Sequence, residues 1–172
     1  GSGGRTATGG GPASWRHDGS AAGIADLVGN VWEWQDQFKI VDGEIFCTTD
    51  NAYTAEEANW QSAGHFLNNV AGTLTLDNAQ GTPTDAGLST TWNALAKAAG
   101  YTEGDLMKRL MVSPQTETEA QGRLYANTSG ERLPFRGGSW SNGSDAGLGA
   151  LLLSHPRSYS STSFGFRPAF VG

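Results

Sequence analysis

Few residues in this chain stand at spacings that do covalent chemistry. Ser139 follows Gly137-Gly138, but the Gly-x-Ser-x-Gly pattern that lifts a serine onto a strained turn is absent there. His17, His65 and His155 have no metal-ligand spacing to one another or to carboxylates; His17 and His65 read as surface or loop residues. Gly9-Gly10-Gly11 precedes no Lys-Ser/Thr pair, so no phosphate cradle is indicated. Cys47 stands alone and forms no disulfide within the chain. Contact chemistry is better served. Between Arg136-Gly137-Gly138-Ser139-Trp140 and Gly165-Phe166-Arg167-Pro168, the small Gly143, Ala146, Gly147 and Ala150 and the apolar Leu148, Leu151 and Leu153 read as scaffold. Interleaved with them are Ser141, Asn142, Asp145, Leu152, Ser154, His155, Tyr159, Ser161, Thr162 and Ser163, which share no common chemistry. Alternate side chains of a strand face opposite ways, so with Leu151 and Leu153 inward, Leu152 is expected to face solvent as a contact residue. His155 is expected to touch a ligand as well.

These residues need a frame. A chain of 172 residues buries a real core as one domain, while 25 glycines and 16% charged residues point to a loop-rich fold rather than a helical bundle. The net charge of −6 supplies no basic patch for nucleic acid or an anionic membrane surface. No apolar run approaches a membrane span, and the N-terminus lacks the charged-then-apolar pattern of a signal peptide. Residues 1–14, small and polar, are expected to be flexible, with structure beginning near Trp15. In Val31-Trp32-Glu33-Trp34 the alternation fits a strand with one aromatic face. Asp42-Gly43 between Phe38–Val41 and Glu44–Phe46 predicts a type I′ hairpin. Thr54-Ala55-Glu56-Glu57 reads as a capping box opening a short helix through Trp60, and residues 73–76 as a short strand. Ser89, Trp92, Leu95, Ala96 and Gly100 predict a second helix, and Thr102-Glu103 with Leu106, Leu110 and Met111 a third that ends before Pro114. Residues 127–130 form a turn cluster. Trp32, Trp34, Trp140 and Phe166 are expected in the core, and Arg136 and Arg167 are expected to pin the two ends of the 136–168 stretch by charge-assisted hydrogen bonds.

Three blocks, Asp26 to Trp34, Arg136 to Trp140 and Gly165 to Pro168, resemble the formylglycine-generating-enzyme branch of the C-type lectin fold. Within that branch the chain most resembles the variable proteins of diversity-generating retroelements. The resemblance covers roughly residues 15–46 and 131–171. It implies an α+β fold, with twisted antiparallel strands and two flanking helices, for a C-type lectin-like domain over 15–172 with a variable region at 136–168. It implies further strand and helix ahead of Trp15 in the family. It also implies that the ten interleaved residues form one exposed ligand-binding face. In the family a reverse transcriptase misreads adenines of Asn codons, which can yield most amino acids but never Lys, Glu, Gln, Met or Trp. Residues 141–172 contain none of these.

The function implied is receptor recognition on a phage tail fibre or bacterial surface. The partner is a protein or glycan of unknown identity, and several copies, as in a homo-oligomer, would raise avidity. The oxidase activity of the branch needs a copper-bound cysteine pair, and here Asn142 and Gly147 stand at those positions; the chain is not expected to be an enzyme. A calcium-dependent lectin would carry a Glu-Pro-Asn type sugar motif, which is missing. The resemblance also implies a structural Ca²⁺ held by the side chains of Asp26 and Glu33 and the carbonyls of Gly29 and Val31, hard oxygen donors from one turn. The competing account has Asp26 capping a turn and Glu33 pairing with an arginine such as Arg167.

Overall fold

The computed structural model describes residues 6–50, 52–113 and 121–168. In chain order these hold β1 (Trp32–Trp34), β2 (Phe38–Val41), β3 (Glu44–Cys47), β4 (Gln61–Val70), β5 (Thr73–Asp77), β6 (Leu88–Thr91) and β7 (Ala96–Lys97). The helix α1 (Asp105–Arg109) follows, then β8 (Arg123–Ala126), β9 (Glu131–Arg132), β10 (Phe135–Gly137), β11 (Gly147–Leu153) and β12 (Phe164–Gly165). The strands form two mixed six-stranded sheets, ordered β12-β1-β10-β11-β8-β6 and β7-β5-β4-β3-β2-β9.

The predicted hairpin is β2–β3, closed by Asp42 and Gly43 at φ 50° and 82°. Both angles are positive, as a type I′ turn requires. A side chain at Gly43 would also press its Cβ to 2.6 Å from the Leu67 carbonyl oxygen. The strand expected at 73–76 is β5, paired with β4 from Phe66↔Asp77 to Val70↔Thr73.

The expected helices shrink or vanish. The capping box yields only a 3₁₀ turn at Glu57–Asn59. Ser89 does not cap a helix; it lies in β6, which pairs with β8, followed by a 3₁₀ turn at Trp92–Ala94 and by β7. Two causes compete with helix here. Thr90 and Thr91 are β-branched, and β8 offers them a ladder. Trp92 is then buried and its indole N–H donates to the Gly149 carbonyl at 3.1 Å. The third helix begins at Asp105 rather than Thr102, and its last turn ends where Met111 takes φ 50°. Pro114, with the rest of 114–120, lies outside the described residues.

Two apolar layers result. The main core lies between the sheets: Ile40, Ile45, Leu67 and Leu76 from one, Leu124, Ala126, Leu151 and Leu153 from the other, with Trp92, Met107 and Val112. A smaller cluster of Trp32, Phe135, Ala150 and Leu152 covers the opposite face of the first sheet, with Trp34, Tyr125 and Phe164 packed against it. Burying each leucine, isoleucine, valine, methionine or phenylalanine among them contributes about 1.5–3 kcal/mol. Because β11 has a core on both sides, Leu151 and Leu153 face one layer and Leu152 the other, which is 7% exposed. The alternation is as expected, but Leu152 does not meet solvent broadly.

Two further expectations are corrected. Leu148 is 62% exposed rather than scaffold. Gly137 pairs with Gly147 while Arg136 pairs with Leu151, and this bulge lifts the residues between out of register. Phe166 is 78% exposed rather than core, one residue past the end of β12. Trp32 is buried, and Trp34 and Trp140 are half-buried. Of the segment 1–14, residues 1–5 lie outside the described residues. Beyond them, the Thr6 and Gly9 amides donate to the side chains of Asn30 and Asp26 at 3.3 and 2.8 Å. The loop after β11 is moored to the second sheet, because Arg157 reaches both Glu57 and Glu131, which also pair with Lys39 of β2.

Candidate functional site: a depression where the three motif blocks meet

The three sequence blocks are neighbours in space. In the first sheet β1 lies between β10 and β12, antiparallel to the former and parallel to the latter. The turn before β1 and the turn after β10 are stitched together: the Gly29 amide donates to the Gly137 carbonyl at 3.0 Å and the Trp140 amide to the Asn30 carbonyl at 3.1 Å. Gly137 and Gly138 both take positive φ, 92° and 85°. That conformation excludes most side chains, and a Cβ on Gly138 would lie 2.6 Å from that of Ala146. The Gly-Gly-Ser sequence is thus a backbone requirement that turns the chain from β10 across the top of β1.

Beside this junction lies a depression of about 260 Å³ lined by Trp32, Tyr125, Ser139, Ser141, Asn142, Leu152, His155, Ser163 and Phe164. Five of the ten interleaved residues therefore share it: Ser141, Asn142, Leu152, His155 and Ser163. Leu152 forms part of its floor as a member of the smaller cluster. Tyr159 joins through His155, the two rings stacking at 3.6 Å and 7°. Phe164 meets both edge-on, at 5.6 and 5.1 Å. Burial, helped by the charge of Arg132, pushes the His155 imidazole below its ordinary pKa of 6.5, so the ring is predominantly neutral at neutral pH. Asp145 approaches the rim, its carboxylate accepting from the Tyr125 hydroxyl at 3.4 Å. Ser161 lies next to Ser163, their hydroxyls 3.0 Å apart. Ser154 is half-buried just past the end of β11. Thr162 lines a different depression, shared with Thr6, Asn30 and Arg167.

Asn142 has a second task. Its side-chain oxygen accepts from both the amide and the hydroxyl of Ser139 at 2.8 Å, closing the turn after the Gly-Gly pair. Its side chain is thereby tied to the frame. Gly149, which any count of exchangeable positions has to place, belongs to the frame: its Cβ would sit 2.6 Å from the Gln121 carbonyl oxygen.

The two arginines act at opposite ends of the stretch, as expected. Arg136 donates to the carbonyls of Leu110 and Met111 at 2.7 and 3.0 Å and to that of Gly149 at 3.4 Å. Burial pushes its pKa down to about 10, so it stays charged at neutral pH. Arg167 grips the Glu33 carboxylate at 2.6 and 3.2 Å and donates to the Ala25 carbonyl at 2.9 Å. This bears on the expected calcium set of Asp26, Gly29, Val31 and Glu33. Asp26, Gly29 and Val31 lie in the irregular segment before β1, with positive φ at Asp26, Gly29 and Asn30, and Glu33 lies in β1 itself. Glu33, however, is paired with Arg167, and Asp26 accepts from Gly9. An ion there would have to share or displace a guanidinium. Among the described residues no group of three or more His, Cys, Asp or Glu side chains is placed to hold a metal.

No family model matches the chain, and no curated protein matches it significantly. The site must therefore be read from its own residues. The remaining candidates do structural work. The His17 ring accepts from the Ile24 amide at 2.8 Å and closes a loop; His65 lies in β4 rather than a loop, edge-on to Tyr101 at 5.6 Å. Cys47 is buried at the end of β3, and burial raises its thiol pKa, away from nucleophilic use.

Sequence reasoning missed Tyr125. Leu124 and Ala126 alternate with Arg123 and Tyr125, and that period of two marks β8. Its hydroxyl also receives the Asn142 amide at 3.5 Å, and its ring stands edge-on to Trp32 at 6.0 Å and 89°.

Proposed function

We propose that this chain is a ligand-binding protein of the diversity-generating-retroelement variable type on a C-type lectin fold. Its retroelement-exchanged side chains frame the depression between β1, β8, β11 and β12. The observation that carries the reading is the convergence of three sequence-distant blocks on adjacent strands, with Ser141, Asn142, Leu152, His155 and Ser163 gathered beside them. A rigid frame presenting Tyr, His, Ser, Asn and Asp has the composition of a paratope. Display in several copies on a phage tail fibre or bacterial surface, against a protein or glycan, would convert modest affinity into avidity.

An oxidase reading is disfavoured on geometry as well as chemistry. Asn142 is engaged by Ser139, and any side chain at Gly147 would press its Cβ to 2.8 Å from the backbone of Gln121. The decisive experiment sequences the DNA flanking the coding region. The expected result is a reverse-transcriptase gene and a repeat of the 3′ coding sequence carrying adenines at the codons of the exchanged residues. A flank without such a repeat, or with adenines confined to the frame codons of Gly137, Gly138 and Gly149, would remove the basis of the proposal.

Calcium on Asp26, Gly29, Val31 and Glu33 belongs to the same reading, and its test is independent. With an ion bound, added Ca²⁺ raises the melting temperature and a chelator reverses the rise. A melting temperature indifferent to both leaves Arg167 as the cation that serves Glu33.

A further inference from the structure

We propose that Tyr125 is a constant ligand-contacting residue, an aromatic anchor lying outside the exchanged stretch whose hydroxyl is offered to the ligand between residues 142 and 145. The inference rests on the binding reading above. Tyr125 lines the depression although β8 precedes Arg136 in sequence. Its position is fixed twice, by the Leu152↔Tyr125 pairing of β11 with β8 and by the edge of Trp32 against its ring. Its hydroxyl is held loosely. The contacts to Asn142 and Asp145, 3.5 and 3.4 Å, are near the outer limit for hydrogen bonds, so a ligand group can replace either at small cost. Burial, with the Asp145 charge beside it, keeps that hydroxyl protonated through the physiological range. A tyrosine presents a large amphipathic surface with few rotatable bonds. Whatever residues the exchange places around it, each version of the site inherits the same hydroxyl and ring.

The test needs no knowledge of the natural ligand. Ser141, Ser154, His155, Tyr159, Ser161 and Ser163 are randomised in the full chain, the library is displayed, and binders to lysozyme are selected. Tyr125→Phe is then introduced into each independent binder, with Tyr53→Phe as a control at an exposed tyrosine away from the depression. Melting temperatures confirm that each variant is folded. The expected result is a Kd weakened by threefold or more in most clones with Tyr125→Phe and by less than that with Tyr53→Phe. Binders that mostly hold their Kd within threefold after Tyr125→Phe would overturn the assignment while leaving the binding reading intact. A folded library that yields no binder would overturn the binding reading and the anchor with it.

Discussion

Phe135→Ala is expected to lower the unfolding free energy by about 3–5 kcal/mol, read as a fall in the urea midpoint at unchanged m-value. The ring is fully buried and joins three others: Trp34 at 3.9 Å, Phe164 at 4.5 Å and His155 at 6.4 Å. Removing it empties the centre of the smaller cluster, and rings anchored on different strands cannot all collapse into the space. Ser141→Ala, by contrast, removes an exposed hydroxyl at the rim and should change stability by no more than about 0.5 kcal/mol. The contrast tests the division between frame and exchanged surface at two positions beside one site. A loss below about 1 kcal/mol for Phe135→Ala would mean that the layer beneath the depression is not packed as described.

Arg136→Ala should cost about 2–4 kcal/mol, because it strands the Leu110 and Gly149 carbonyls that a half-buried charge now satisfies, while water can reach that of the exposed Met111. Arg136→Lys should recover only part of that loss. A single ammonium lacks the planar fork that reaches Leu110, Met111 and Gly149 at once, and burial that already drives the guanidinium pKa down to about 10 penalises a lysine more. Thermal unfolding of the two variants beside the wild type measures this. Equal recovery by lysine would show that charge alone, not the fork, serves those carbonyls.

Much of the frame was legible because local chemistry dictates it. Asp42-Gly43 can turn a hairpin in few ways, and it turns β2 into β3. Arg136 and Arg167 were expected to pin, and both do, although the carbonyl partners of Arg136 lie just past α1 and in β11 and could not be read. The helical patterns misled for a stated reason: the spacing of Trp92, Leu95 and Ala96 is flanked by β6, laddered on β8, and by β7, laddered on β5, and no local window contains either partner. Leu152 failed in an instructive way. Alternation correctly sent it opposite Leu151, but whether that side meets water or a second apolar layer depends on Trp32 and Phe135 arriving from other strands. Tyr125 was overlooked for the same reason, since its role comes from a parallel pairing with a strand more than twenty residues downstream. Asn142, placed by its residue type among exchangeable surface positions, is held to Ser139 by bonds that only coordinates reveal.

The position of β1 between β10 and β12 has a consequence for evolution by insertion. The exchanged stretch departs from one neighbour of a strand and returns to the other, so its ends are held roughly 10 Å apart by two strand spacings. That gap is set by backbone ladders and is indifferent to what spans it. The entropy of closing a flexible span rises only logarithmically, by about 0.6 kcal/mol for each doubling of its length. Past the Arg157 mooring and the Tyr159 stack, the chain between Ser160 and Ser163 is where such growth fits, giving the protein reach as well as variety at little thermodynamic penalty.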